Sequence, residues 1–541
     1  MKFDKWYGLA LVVVLILAAL LVWRRGQVLP WGYADMSFHL ATAQGFVRAG
    51  GPVTWSFWEA VPEGRPHNYP PLFHIVMAGF LSLGWSPDLV AQTAIWLALV
   101  GGGAIFAWGL ARLYGVRIAL ITTLLLLATV RFLGYSAMIL PATLAVFLSP
   151  LLLLSLIHRR WLALWALLVL ELYLHLFIPY VIVAVLLLWC YRYARSSFSL
   201  LSITLAAALV AYAPWLVHIV TDGLGFIKYF GRDFYIQNIS PQIWSVNLIV
   251  FPLYFLGTIL LIRRAKPASA ALLFFVWLGL AWLPLGAFFP GRSLTAHAFA
   301  AAAPVAAWAL VQIASRRWGV YVAAAVFMLA LYGAPYLNWP PRPRLLTFVN
   351  STWRVVGNWF VQDEVSFKTG VARVVQLIGQ HSQRGETVAS LVERFQGSPV
   401  VNIFQVSAAD YFAARAGRPT VNLREPEVYS VEPQISSARI ILASRPLAEI
   451  DSLKSASPLT LIVDPNKEWS NFVLLEQVPF GMGENIYLYY NQSKLVASEQ
   501  PVAPLVPLPL AISLIAALIA VVWVDLWQLG QTTPEDTKSV I

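Results

Sequence analysis

Cysteine is almost missing from this chain of 541 residues: the single Cys190 lies in an apolar run, which excludes a disulfide framework and a cysteine-based metal site. Charge is scarce as well. Only 12% of residues are charged against 59% hydrophobic, with a mean hydropathy of +0.69, far more apolar surface than a soluble core of this length could bury. The formal net charge of +11 does not point to nucleic acid, because the polar segment from Pro340 to Val502 carries about as many basic as acidic residues. The surplus sits in short loops between apolar segments. Also absent are a Gly-rich phosphate loop, zinc-type spacing, a nucleophile elbow and a whole-domain repeat. The first apolar run, Tyr7 to Trp23, is followed by Arg24-Arg25 without a small-residue cleavage site, so it is expected to remain as an anchor helix.

What is present reads as an α-helical polytopic membrane protein with about twelve transmembrane helices. After the first run come Leu89 to Leu110, Ile118 to Val130, Ala137 to Leu156, Trp161 to Leu174, Ile178 to Tyr191, Leu200 to Val220, Ile243 to Ile262, Ala270 to Phe289, Ala296 to Ile313, Tyr321 to Tyr336 and Leu505 to Trp527. Arg112 and Arg117, Arg159 and Arg160, Arg192 and Arg195, Arg263, Arg264 and Lys266, and Arg316 and Arg317 all fall on one side, which the positive-inside rule makes cytoplasmic. Two segments need special treatment. Trp161 to Tyr193, interrupted by Pro179, fits a tight hairpin with both flanks inside; Pro71 to Gly84 is short, contains His74, and fits an interfacial helix on the outer surface.

This gives residues 1–339 as a membrane domain with a first outer loop at 24–86, an extracytoplasmic α/β domain at 340–502, a last membrane helix at 503–528 and a cytoplasmic tail at 529–541, with the plasma membrane as the expected location. In the α/β domain, Thr387 to Val392, Arg439 to Ala443 and Leu459 to Val463 read as strands, and Val371 to Gln380 and Ala408 to Ala416 as helices.

The first outer loop carries the candidate chemistry. Tyr33-Ala34-Asp35-Met36-Ser37-Phe38-His39 holds a carboxylate where a membrane helix gives way to water, and Asn68-Tyr69-Pro70-Pro71-Leu72-Phe73-His74 follows. Asp35 precedes an amphipathic stretch, so helix N-cap and catalytic group both remain open for it. Glu59, Glu63 and His39 are candidates for a second acid or metal ligand, against solvated carboxylates and an interfacial histidine. Arg292, Lys228, Arg232 and Arg65 are candidate phosphate-binding cations, against headgroup contacts. His67, Tyr69, His74, Glu171 and His175 are cavity candidates, Glu171 and His175 being four apart so that they could meet. Trp55, Trp58, Tyr336 and Trp339 read as an interface belt.

An acidic residue opening the first outer loop, an aromatic-Pro-Pro-Leu-aromatic step and apolar hairpins closed by Arg pairs resemble the GT-C membrane glycosyltransferases, nearest the protein mannosyltransferase and aminoarabinose transferase branch, over roughly Met1 to Trp318. The Asp35 and His39 spacing is also similar to oligosaccharyltransferase-like sequences and to membrane proteins related to 6-pyruvoyl-tetrahydropterin synthase. The resemblance implies a glycosyltransferase inverting at a sugar taken from a polyprenyl-phosphate donor, with Asp35 at the catalytic position and Arg292 near the donor phosphate. It also implies a lipid, glycan or protein acceptor and membrane lipids as partners, no nucleic acid, and a divalent metal ion as an open question. Two departures stand out: Tyr135-Ser136 is followed by no carboxylate, and Tyr69 stands where some relatives carry a basic residue. A lipid-linked glycan transporter or a non-catalytic membrane assembly protein is the alternative.

Overall fold

The computed structural model describes residues 2–28, 34–59, 61–128, 132, 140–222, 250–264, 270–285, 297–315, 321, 324, 362–391, 408–420, 438–443, 446–447, 452–454, 460–462, 471–481, 484–493, 496 and 498–531. In chain order the membrane part comprises α1 (Lys2–Val28), α2 (Ala34–Ala49), the two-residue strands β1 (Trp55–Ser56) and β2 (Arg65–Pro66), and α3 (Leu72–Ser82). Then follow α4 (Pro87–Tyr114), α5 (Val116–Ala128), α6 (Leu140–Ile157), α7 (Trp161–Leu174), α8 (Ile178–Tyr193), α9 (Phe198–Asp222), α10 (Val250–Arg264), α11 (Ala270–Leu285) and α12 (Phe299–Ala314). Every expected span coincides with a helix over its described residues, except that the last starts at Leu508 rather than Leu505 and that Tyr321 to Tyr336 lies nearly all outside them. By length and composition, Pro87–Tyr114, Leu140–Ile157, Arg195–Thr221 and Leu508–Gln528 are long and apolar enough to cross a membrane; the remaining apolar helices are shorter.

Local chemistry explains the boundaries. Ser86 caps α4, its Oγ accepting from Leu89 N at 3.3 Å with Pro87 in the first turn. Gly115, at φ +93°, takes the left-handed turn between α4 and α5 that a side chain would oppose. The expected hairpin is present: α7 ends at Leu174, α8 starts at Ile178 with Pro179 in its first turn, and His175 Nδ1 accepts from the N–H of Phe177 at 3.0 Å and of Ile178 at 3.2 Å.

Close helix approaches rest on small residues. A Cβ on Gly257 of α10 would stand 2.8 Å from the Val305 carbonyl of α12, and one on Gly109 of α4 would stand 2.8 Å from Pro150 of α6. Without a hydrophobic driving force between helices in lipid, such backbone approach supplies the packing.

The C-terminal part holds α13 (Gln362–His381), β3 (Val388–Leu391), α14 (Ala408–Ala416), β4 (Ile440–Ala443), β5 (Ser452–Lys454), β6 (Thr460–Ile462), β7 (Phe472–Gly481), β8 (Glu484–Asn491) and finally α15 (Leu508–Gln531). Its main sheet has the order β3-β4-β8-β7, with β3 and β4 parallel and the other pairs antiparallel. Val374, Ile378, Phe412, Ile440, Leu442, Ile486 and Leu488 close its core beneath α13 and α14. The expected strands and helices all appear; β5 and the β7–β8 hairpin are additions.

Two sets of contacts tie this part to the membrane part. Thr420 N donates to the Trp58 carbonyl at 3.0 Å, Gln44 Nε2 to the Ala414 carbonyl at 2.6 Å, and Arg415 meets Asp88 at 2.5 Å. The lead into α15 is pinned by Leu505 N to Pro52 O at 2.8 Å and Leu508 N to Gly50 O at 2.7 Å. Further along α15, Asp525 accepts from Ala163 N at 3.2 Å and faces Arg160 at 3.4 Å, completing the start of α7.

Candidate functional site

The site is built on α2, which starts at Ala34, so Asp35 is its second residue, inside the first turn rather than at the cap position. A carboxylate in a first turn still meets the positive end of the helix dipole; the Asp35 side chain is outside the described residues. The stretch expected to be amphipathic is enclosed on both sides: Met36, Leu40, Ala43 and Phe46 are buried, as are the polar Ser37, His39 and Thr42, because α3 packs on one face and α14 on another. Gly45 makes this possible. A Cβ there would overlap the Trp58 ring.

Four residues along from Asp35, and so on the same helix face, His39 directs Nδ1 at His74 Nε2 of α3, 2.8 Å away. His67, in the loop before α3, has Nδ1 at 3.1 Å from Ser56 Oγ, while its carbonyl is 2.8 Å from His218 Nε2 of α9. The rings of His39 and His74 lie 5.0 Å apart, those of His67 and His74 5.6 Å, and the half-buried Tyr69 sits edge-on to His39, His74 and His175 at 5.4, 5.5 and 5.7 Å. Burial first, then the charges of Arg65, His218 and His39, hold the His67 imidazole well below the usual histidine range. His67 Nε2, His74 Nδ1 and both amide atoms of Asn68 are buried and lack a hydrogen-bond partner among the described residues. The cluster is therefore a buried polar floor under the start of α2, able to take further hydrogen bonds.

The other candidates divide. Glu59 and Arg65 are both buried and pair with each other, so each neutralises the other within the loop instead of acting as a separate acid and a free phosphate-binding cation. Glu63 is exposed at the loop tip, its carbonyl accepting from Trp55 Nε1 at 3.0 Å. Trp58 is 1% exposed, which removes it from an interface belt. Glu171 and His175 do not hydrogen-bond: His175 leaves the helix at φ −147° to serve α8, and both Glu171 oxygens are buried without a hydrogen-bond partner among the described residues. Lys228, Arg232, Arg292, Tyr336 and Trp339 lie outside the described residues. Among the described residues no three His, Cys, Asp or Glu stand close enough to share a metal ion. His39 and His74 commit their facing nitrogens to each other.

Sequence reasoning passed over His218 and Ser56. His218 could have been found as a titratable residue inside an apolar span; nothing in the spacing marks Ser56.

Neither a family model nor a curated relative matches the chain. Solved structures do. The chain is similar to ArnT from Cupriavidus metallidurans in the apo state, at 15% identity and a TM-score of 0.54 over 92% of this chain and 100% of that one. The same protein bound to undecaprenyl phosphate gives 14% and 0.53 over 90% and 99%. An Archaeoglobus fulgidus oligosaccharyltransferase in the apo form gives 12% and 0.45 over 82% and 70%. Over nearly the whole length of ArnT, this chain shares that protein's fold.

Proposed function

We propose that this chain is an integral-membrane glycosyltransferase that moves a sugar from a polyprenyl-phosphate donor to an acceptor hydroxyl or phosphate at the outer membrane–water interface, with inversion. The observation that carries this reading is the fold shared with ArnT, a protein solved with undecaprenyl phosphate bound, combined with Asp35 in the first turn of α2, one helical turn before the buried His39–His74 pair.

The chemistry asks little of the protein. A glycosidase needs a second carboxyl to protonate its leaving alcohol, whereas a polyprenyl phosphate leaves as a stable anion. Asp35 accepts or holds the acceptor proton while the acceptor oxygen bonds to the anomeric carbon; the carbon–phosphate oxygen bond breaks on the opposite face. Cations at the leaving phosphate stabilise its charge, and with Arg65 paired to Glu59, Arg292, Lys228 and Arg232 are the remaining candidates. The His39–His74 pair would fix the α2–α3 angle and so the height of Asp35 over the substrate.

The buried, unpartnered carboxyl of Glu171 favours the second reading, a transporter of the intact lipid-linked sugar, since intramembrane acids mark transport pathways. The two separate in one assay. Purified protein in nanodiscs, given an undecaprenyl-phosphate sugar and a membrane-lipid extract as acceptor, should release undecaprenyl phosphate and yield an acceptor heavier by one sugar, with inverted anomeric configuration by NMR. In sealed vesicles, movement of intact donor between leaflets with no bond broken would establish the transporter instead.

A further inference from the structure

Where the C-terminal part meets the membrane part, a cleft of about 290 Å³ is lined by Gln44, Val47 and Arg48 of α2, Leu81 of α3, and Arg384, Gly417 and Arg418 of the α/β domain. At 1.5 Å per residue, Arg48 lies about 20 Å along α2 from Asp35, so the cleft is separate from the proposed catalytic end. Three guanidinium groups converge on it.

Each is held differently. Arg418 is fixed by its own domain, donating from Nε to Ser382 Oγ at 2.8 Å, from Nη2 to the Ser382 carbonyl at 2.7 Å and from Nη1 to the Ala416 carbonyl at 3.0 Å. None of these hydrogen-bond partners is a carboxylate; Glu386 and Glu499 act on its charge only through space. Arg384 is exposed at the rim. Arg48 is 8% exposed and stands 2.9 Å from Glu499 through Nε, yet Nε and Glu499 Oε2 are both buried without a well-aligned hydrogen bond. Glu386, the next carboxylate, is bonded to Arg439. Three positive groups thus face Glu499, which pairs with Arg48, and Glu386, which acts on Arg418 but is bonded to Arg439, so that four arginines outnumber two carboxylates around the cleft. Burial first depresses Arg48, Glu499 opposes it, and Arg384 and Arg418 add to it, so the neighbouring cations act in the direction that a bound anion would offset. Gln44, also buried, commits Nε2 to Ala414 and leaves Oε1 without a partner.

The rim points to a lipid. Leu81 belongs to the last turn of α3, and the turn that follows exposes Leu83 at 74% and Trp85 at 37%, an apolar and aromatic edge suited to the headgroup boundary. We infer that this cleft binds the phosphate of an anionic membrane lipid, with Arg48, Arg384 and Arg418 on the phosphate oxygens, Gln44 Oε1 accepting a headgroup hydroxyl, and Leu83 and Trp85 against the acyl chains. The ligand would brace the α/β domain against the membrane, because its phosphate is contacted from both.

Calorimetric titration of the full-length protein in detergent tests this with three probes: dioctanoyl-phosphatidylglycerol, dioctanoylglycerol and inorganic phosphate. The expected result is saturable binding of the phospholipid, no binding of dioctanoylglycerol, and inorganic phosphate weaker than the phospholipid. Arg384→Gln, which touches an exposed side chain and leaves the melting temperature unchanged, should weaken phospholipid binding about tenfold, while Asp35→Asn should leave it intact. Equal phospholipid affinity of wild type and Arg384→Gln would overturn the site. Inorganic phosphate binding as tightly as the phospholipid would overturn the lipid as its ligand, and equal binding of dioctanoylglycerol would overturn the role of the phosphate.

Discussion

Glu59 and Arg65 illustrate how burial changes the meaning of a charged residue. Each is less than 10% exposed and each has the other at contact distance, so deleting one leaves an uncompensated charge inside the first loop. Glu59→Ala should therefore lower stability by about 3–5 kcal/mol in thermal unfolding, and Glu59→Leu combined with Arg65→Met should cost clearly less than either single change. Additive losses in the double variant would show that the pair does not act as a unit. His67 gives a pH dependence whose sign follows from its depressed pKa, caused first by burial and then by Arg65, His218 and His39. The folded chain keeps it neutral while the unfolded chain takes up the proton, so stability present above the ordinary histidine range of about 6.5 is lost as pH falls below it. The melting temperature should drop between pH 7.5 and 5.5, and His67→Asn should flatten that slope; an unchanged slope would show that His67 does not carry it. The sequence made His39, His67 and His74 visible as residues but not as a cluster, because their bonding partners lie on separate elements, His218 being 151 positions from His67.

At the scale of elements, α2 is the least tolerant part of the site, since it runs between α3, α14 and the Trp58 ring. Gly45→Ala places a methyl group into that ring, where α3 on one side and α14 on the other leave no direction for α2 to shift. Overpacking of this kind should cost about 1–3 kcal/mol, and because it moves the helix that carries Asp35 it should lower turnover even at temperatures where the protein stays folded. A variant with wild-type melting temperature and turnover would mean that α2 is free to move away. The α7–α8 hairpin could be read in advance from Arg residues at both flanks and Pro179 between them, since chain length and charge alone forbid other solutions. The enclosure of α2 could not, because Ala414 lies 370 positions from Gln44. Nor could the β7–β8 hairpin, whose first strand breaks the alternation with four apolar residues in a row, Phe472 to Leu475, followed by Glu476-Gln477 and then Pro479. Asp525, an acid inside an otherwise apolar last helix, gains its meaning only from the start of α7 across the bundle.

For the whole molecule, the account requires the α/β domain and the start of α2 to share the outer side, since Thr420 and Trp58 bond directly. A cysteine placed at the exposed Gln383, after Cys190→Ser, should react with a membrane-impermeant maleimide in intact cells. Labelling only after permeabilisation would invert the topology. The central claim is that Asp35 supplies the negative charge for sugar transfer, and the direct measurement is the rate at which purified protein in nanodiscs releases undecaprenyl phosphate from a panel of undecaprenyl-phosphate sugars, with membrane lipids as acceptor. Wild type should turn over at least one of these donors. Asp35→Asn, which keeps the shape of the side chain and gives up only its interaction with the helix dipole, about 0.3–1 kcal/mol, should lower the melting temperature by no more than a few degrees and lose several orders of magnitude in rate. Release by Asp35→Asn at the wild-type rate, or no release from any donor by the wild type, would contradict the account.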